Sequence, residues 1–261
     1  MDEASVAIVL TTALLAAVEV AYRLGRQSRG ADDEARRRQI AAIRGAMLGL
    51  LTLLLGFTFS MAVERYSVRR DLVVKEANAI GATWLRAGLL PETRRDEARR
   101  LLSDFVDVRL RTHTLARDPI QLVEGLRRSA EIESKLWQHA EASAREAPTA
   151  VTATFIATLN QLIDTDAERV AAARNQIPAG VWLILTAVAG TSCWTSAYAA
   201  GHDGVRSIFT SVLLPLTVIL VLLLIFDLTH ERQGIIGISQ QPLVDLQTLF
   251  RSGLIGTLRA K

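Results

Sequence analysis

The side chains that could do chemistry are few and scattered. Four histidines, His113, His139, His202 and His230, stand far apart with no metal-ligand spacing. Each reads as a surface or loop histidine. One cysteine, Cys193, excludes an intramolecular disulfide and a cysteine-based metal cluster. It lies in an apolar run and reads as a small buried hydrophobe. The chain holds no phosphate-binding loop, dinucleotide glycine fingerprint, His-Glu-x-x-His motif or Gly-x-Ser-x-Gly elbow. No catalytic residue, metal site or cofactor is therefore expected, and the chain is read as no enzyme. The pattern that could do something else is Gly45, Gly49, Thr52, Gly56 and Ser60, spaced so that they draw one small-residue stripe down a helix. Such a stripe lets backbones approach closely where no hydrophobic force drives helices together. Two readings follow: the stripe packs against another helix of the same chain, or copies of it surround a common axis. In the second, Leu53 and Phe57 project into a lumen and narrow it, and a ring of apolar side chains gates by dewetting.

The elements that must carry this stripe follow from where the charges lie. The chain has 261 residues, 30 Lys plus Arg and 27 Asp plus Glu, a nearly balanced total that argues against a nucleic-acid binder. Residues 4–22, 45–63, 177–201 and 207–226 contain no Lys or Arg and a single carboxylate, Glu19. About 20 apolar residues at 1.5 Å rise cross the hydrocarbon core of a bilayer. The expectation is an all-α integral membrane protein of four transmembrane helices, multi-pass in the cell inner membrane or plasma membrane. Glu19 sits near the end of the first span, and pairing with Arg23 one turn on would let it snorkel to the interface. Pro215 should kink the fourth span in its middle. Trp182 near one end of the third span, and Trp194 with Tyr198 near the other, fit interfacial belts. The acidic Met1-Asp2-Glu3 start differs from the basic n-region of a signal peptide, so the first span is expected to be retained.

The layout is a first transmembrane pair with a basic connecting loop (residues 1–63), a polar insert (64–176), a second pair (177–229) and a C-terminal tail (230–261). The insert has 18 basic and 17 acidic residues, poor strand alternation and prolines that open helices. It is expected to be a bundle of about four helices, the second span running on into the first of them. One helix follows Pro91, with Leu101, Leu102, Phe105, Val108 and Leu110 at helical spacing. Another starts at Asp118-Pro119, an N-cap carboxylate before a first-turn proline, with Leu122, Val123, Leu126, Ala130, Trp137 and Ala140 on one face. A third follows Pro148, with Val151, Phe155, Leu159, Leu162 and Val170, and runs toward Pro178. The Arg and Glu residues are read as a solvated face, or else as an electrostatic vestibule or partner surface. The tail carries an apolar-periodic segment around Leu243 to Leu249.

The stretch Gly56-Phe57-Thr58-Phe59-Ser60-Met61-Ala62-Val63-Glu64-Arg65-Tyr66, followed by Arg69-Arg70, resembles a known pattern. Together with Glu76-Ala77-Asn78-Ala79-Ile80-Gly81 and Gly237-Ile238-Ser239-Gln240-Gln241-Pro242-Leu243, it is similar to the bacterial bestrophin-like family of unknown function. That family is regarded as a distant relative of the bestrophins, pentameric anion channels of which some bacterial members pass cations. In bacterial bestrophins a neck phenylalanine lies eight residues before the Arg of an acidic/polar-Arg-aromatic step. Glu64-Arg65-Tyr66 looks like that step, which places Phe57 at the neck, Leu53 one turn earlier and Gly49 a turn before that. The polar Arg-x-Asn step of bestrophins reads Thr58-Phe59-Ser60 here, bestrophins carry a bulky apolar residue at the Gly49 position, and the tail has no acidic calcium-clasp run. The resemblance implies a homo-oligomer, by kinship a pentamer, in the lipid bilayer, passing small ions with anions favoured, and a cytoplasmic insert. Lys and Arg counts near the span ends are almost equal on the two sides and do not orient the chain. The other function open to this sequence is a membrane-anchored sensor or scaffold whose insert binds a ligand or partner without conducting.

Overall fold

The computed structural model describes residues 3–28, 34–116, 118–204, 212–229 and 236–252, and among them every regular element is helical. The helices are α1 (Glu3–Gln27), α2 (Glu34–Ala87), α3 (Glu92–Thr114), α4 (Pro119–Glu146), α5 (Ala150–Arg174), α6 (Ala179–Asp203), α7 (Leu214–Thr229) and α8 (Gln241–Ser252). They sort into two compact units: Met1–Glu64 with Gln176–His230, and Arg65–Asn175 with Glu231–Lys261.

The first unit is apolar. Two helical stretches among the described residues are long and apolar enough to cross a membrane: α2, with a mean hydropathy of 2.1 over an apolar window of 18 residues, and Ala150–Asp203, with 1.5 over such a window. The second stretch is interrupted after Arg174, where Asn175 to Pro178 leave the helix and Pro178 sets the start of α6. α7 is shorter, with 16 residues. Its core joins Val18 and Ala21 of α1, Leu51 of α2, Ala189, Cys193 and Ala197 of α6, and Val218 of α7. The tightest crossing is α1 on α6. A Cβ added to Gly25 would lie 2.1 Å from the Tyr198 carbonyl oxygen, and one added to Gly201 would lie 2.1 Å from that of Tyr22. The two glycines admit each other's backbone reciprocally, at the ends of Ala21-x-x-x-Gly25 and Ala197-x-x-x-Gly201. Tyr198 adds a hydrogen bond to Ser28 Oγ at 3.1 Å, and Ser192 Oγ donates to the Met47 carbonyl at 3.1 Å. Gly204 closes α6 with φ 74°, a left-handed cap that glycine takes without a Cβ penalty.

Pro215, expected to kink the fourth span, is the second residue of α7, and two π-helical residues directly precede α7. Of the fourth apolar run, residues 207–211 lie outside the described residues, as does His230. Glu19 and Arg23 pair at 2.9 Å, as expected from their i,i+4 spacing. Trp182 packs edge-on against Phe226 of α7, ring centroids 6.0 Å apart.

The second unit is a helical bundle made by the last part of α2 with α3, α4, α5 and α8. Its core holds Ile80, Leu102, Phe105, Leu136, Phe155, Leu159, Leu162 and Leu243. Local signals set the helix starts. Asp118 caps α4 by accepting from Ile120 N at 2.9 Å, and Thr149 caps α5 by accepting from Thr152 N at 3.3 Å. The buried face of α4 differs from the one its large apolar residues suggested: Ser129, Ile132, Leu136, Ala140 and Ser143 face inward, while Val123 is exposed. The spacing 3, 4, 4, 3 is a regular stripe, but its two serines carry no hydropathy. α8 seals the bundle. Phe250 stacks on Trp84 with centroids 3.8 Å apart, and Gln247 donates to Asp107 at 2.5 Å.

Candidate functional site

The helix that carries the small-residue stripe turns it away from its own unit. Leu51, Thr58 and Ala62, spaced 7 and 4, are the buried side of α2 in the first unit. Thr58 turns its hydroxyl back onto the Leu54 carbonyl at 2.7 Å, so the buried polar group is satisfied within the helix. Gly45, Gly49, Thr52, Gly56 and Ser60 fall on the opposite side and are all exposed. A Cβ added at Gly45, Gly49 or Gly56 would meet nothing within 4 Å. Leu53 is 54% exposed and Phe57 66%, beside the stripe and about 40° apart around the helix. Intramolecular close packing is thus carried by Gly25 and Gly201, while the glycines of the α2 stripe meet no partner among the described residues.

The residues after the stripe divide. Glu64 ends the first unit and is exposed. Arg65 Nη1 donates to the Asn175 carbonyl at 2.8 Å, satisfying a carbonyl at the C-cap of α5. Tyr66 is half-buried. Among the described residues no group of three His, Cys, Asp or Glu is arranged to hold a metal. His202, expected at the surface, is buried, because it stands one residue after Gly201 at the close crossing of α1 and α6.

The sequence reading missed a charged cluster inside the bundle. Glu76 of α2 has no exposed surface and pairs with two arginines, Arg109 of α3 at 2.8 Å and Arg169 of α5. Arg109 Nη2 also reaches Asp166 Oδ1 of α5 at 2.7 Å. A signal was present. Arg109 follows Leu102 and Phe105 at steps of 3 and 4, and Asp166 follows Leu159 and Leu162 at the same steps. Charges that continue an apolar stripe are placed to be buried, and buried charges need partners. Elsewhere in the bundle, α3 and α4 enclose a groove of about 670 Å³ lined by both signs of charge, Asp104, Asp107, Glu124 and Glu131 beside Arg100, and also Arg111, Arg128 and Lys135. None of the last three has a carboxylate within 4 Å among the described residues.

Comparison with known proteins gives the following. Residues 8–243 match the Bestrophin-like domain family. No curated protein matches the chain. The fold is similar to that of solved bacterial bestrophin homologues from Klebsiella pneumoniae. One, carrying a single substitution, superposes with a TM-score of 0.69 at 16% identity over 94% of this chain and 98% of that one. Another variant gives 0.67 at 17% identity over 96% and 99%. A third structure, phased on zinc, gives 0.66 at 17% identity over 92% and 98%.

Proposed function

The chain belongs to the bestrophin-like family, and on that premise we propose that it is an oligomeric ion channel with its pore lined by α2. In this reading α1, the first part of α2, α6 and α7 are four crossings of a cell inner or plasma membrane. Copies assemble around an axis, five by kinship, with Leu53 and Phe57 stacked as two apolar rings. Gly45, Gly49, Gly56 and Ser60 let the copies crowd, and Glu64-Arg65-Tyr66 marks the end of the neck. The permeant species is a small ion, by kinship an anion, and no enzymatic step is involved. The observation that carries the reading is the unmet stripe: three glycines of an apolar helix are open to a partner that the described residues of their own chain do not supply. Glycine surface in a membrane helix gains nothing from lipid that a second helix would not give better.

The test has two parts. Full-length protein in detergent is weighed by size exclusion with light scattering, then reconstituted in liposomes for ion flux. An oligomer that passes ions supports the channel, and a monomer, or an oligomer whose flux stays at background, removes it. The α3–α4 groove favours a second reading, a membrane-anchored sensor or scaffold whose insert binds a ligand or partner without conduction. That reading gains if the protein is monomeric and silent.

A further inference from the structure

The charged cluster in the bundle does not balance. Glu76, Asp166 and Glu133 bring three carboxylates, and Arg109 and Arg169 bring two guanidiniums. Both arginines are committed to Glu76, and Arg109 also to Asp166. Glu133, on α4, is the remainder. Its side chain is half-buried, and its Oε1 is fully buried with no hydrogen-bond partner. No cation lies within 4 Å of it among the described residues. The charged groups that act on it are Asp166 of α5, Arg109 of α3 and Glu76 of α2, with Arg169 of α5 bound to the last. His113 of α3 lines a small cavity of about 70 Å³ beside Arg109 and Arg169.

We propose that Glu133 is a proton-binding site in the bundle core, its neutral carboxyl keeping the five-residue cluster balanced and its ionisation loosening α4 from α2, α3 and α5. A neutral acid at this place leaves two negative and two positive charges. An ionised one adds a third negative charge with an oxygen cut off from water and unpaired, which is unfavourable in a low-dielectric interior. Burial, and next the charge of Asp166, push the Glu133 carboxyl up to about 8, with Arg109 pulling the other way. Asp166 is also raised, by burial first, but Arg109 at 2.7 Å favours its ionised form, so Glu133 is the better seat for the proton. The sign of the linkage follows. The unfolded chain releases this proton near 4.5, the folded one near 8, so the folded state binds more protons in between. Stability is full below the lower value and falls as pH rises through the upper one. The bundle is thereby a sensor that tightens in acid and slackens in mild alkali, whether or not the protein conducts.

Full-length protein in detergent tests this by infrared titration and thermal melting, with Glu133→Gln beside the wild type. The wild type should show a protonated-carboxyl C=O band at neutral pH that fades on raising the pH past about 8. Its melting temperature should fall steadily as the pH rises from the ordinary carboxylate value of 4.5 towards about 8, and level off above. E133Q should lack that band and hold a nearly flat melting profile, ending above the wild type in alkali. An E133Q profile as steep as the wild type's overturns the proposal. So does a wild-type spectrum with no such band, a result that decides the matter even if the variant fails to fold.

Discussion

Phe57 and Arg109 mark opposite extremes of what one side chain does in this chain. Phe57 makes little use of its own subunit, with two thirds of its surface exposed. Truncating a buried aromatic costs about 3–5 kcal/mol, whereas a surface change away from special features stays within about 0.5 kcal/mol. Phe57→Ala should therefore leave the melting temperature of the chain nearly unchanged. On the channel reading it should widen the lower ring and raise liposome flux, because ions at a narrow apolar ring shed water with no polar replacement. A marked loss of stability with no gain in flux would return Phe57 to a packing role. Arg109 is the reverse. It is buried and bridges Glu76 to Asp166, so Arg109→Ala strands the Asp166 carboxylate in the core and leaves Glu76 with Arg169 alone. Breaking a buried pair in this way costs about 3–5 kcal/mol, measurable as a loss of bundle stability in denaturant. Lysine should rescue little, since a single ammonium cannot reproduce the fork that serves both partners.

Glycines separate the helix faces in the same way. At Gly25 and Gly201 an added Cβ collides with a backbone oxygen, which cannot move aside as a flexible side chain could. Gly201→Val should pry α6 from α1 and yield protein that is degraded or aggregates in detergent. Gly49→Ala should be tolerated by the fold of the chain, and should gain from alanine the roughly 1 kcal/mol of helix propensity that glycine lacks. On the channel reading Gly56→Leu should go further and dissociate the oligomer while each chain keeps its helical circular dichroism. Should Gly56→Leu leave an oligomer of unchanged mass, the stripe is not the contact between copies. What the sequence made legible here was the periodic part: helix starts at Pro91, Asp118 and Pro178, the all-helical class, and the insert as a bundle. Less legible were features carried by small or charged residues. The Ala21-x-x-x-Gly25 and Ala197-x-x-x-Gly201 pair was spelled out in the sequence, but two short patterns 176 residues apart announce no contact with each other. The buried cluster hid because charged residues default to solvent, and only their register with Leu102, Phe105, Leu159 and Leu162 says otherwise.

At the scale of the whole molecule, α8 joins residues far apart in sequence to finish the bundle. Leu243 is fully buried, and Phe250 stacks on Trp84. Leu243→Ala should cost about 2–5 kcal/mol of bundle stability, and Trp84 emission should shift as the stack opens. An unchanged melting curve would show α8 to be an accessory. The reciprocal glycine crossing has a consequence in time as well as in space. A ribosome releases α1 about 170 residues before the partner that completes its crossing, at roughly 5–20 residues each second. For that interval the groove at Gly25 waits unfilled while α2 to α5 emerge, and the bundle in turn waits for α8. Both units are therefore closed by late-made segments. A chain stalled after residue 175 would present a half-built apolar unit and an unsealed bundle together, so quality control has until α6 arrives to tell a growing subunit from a failed one.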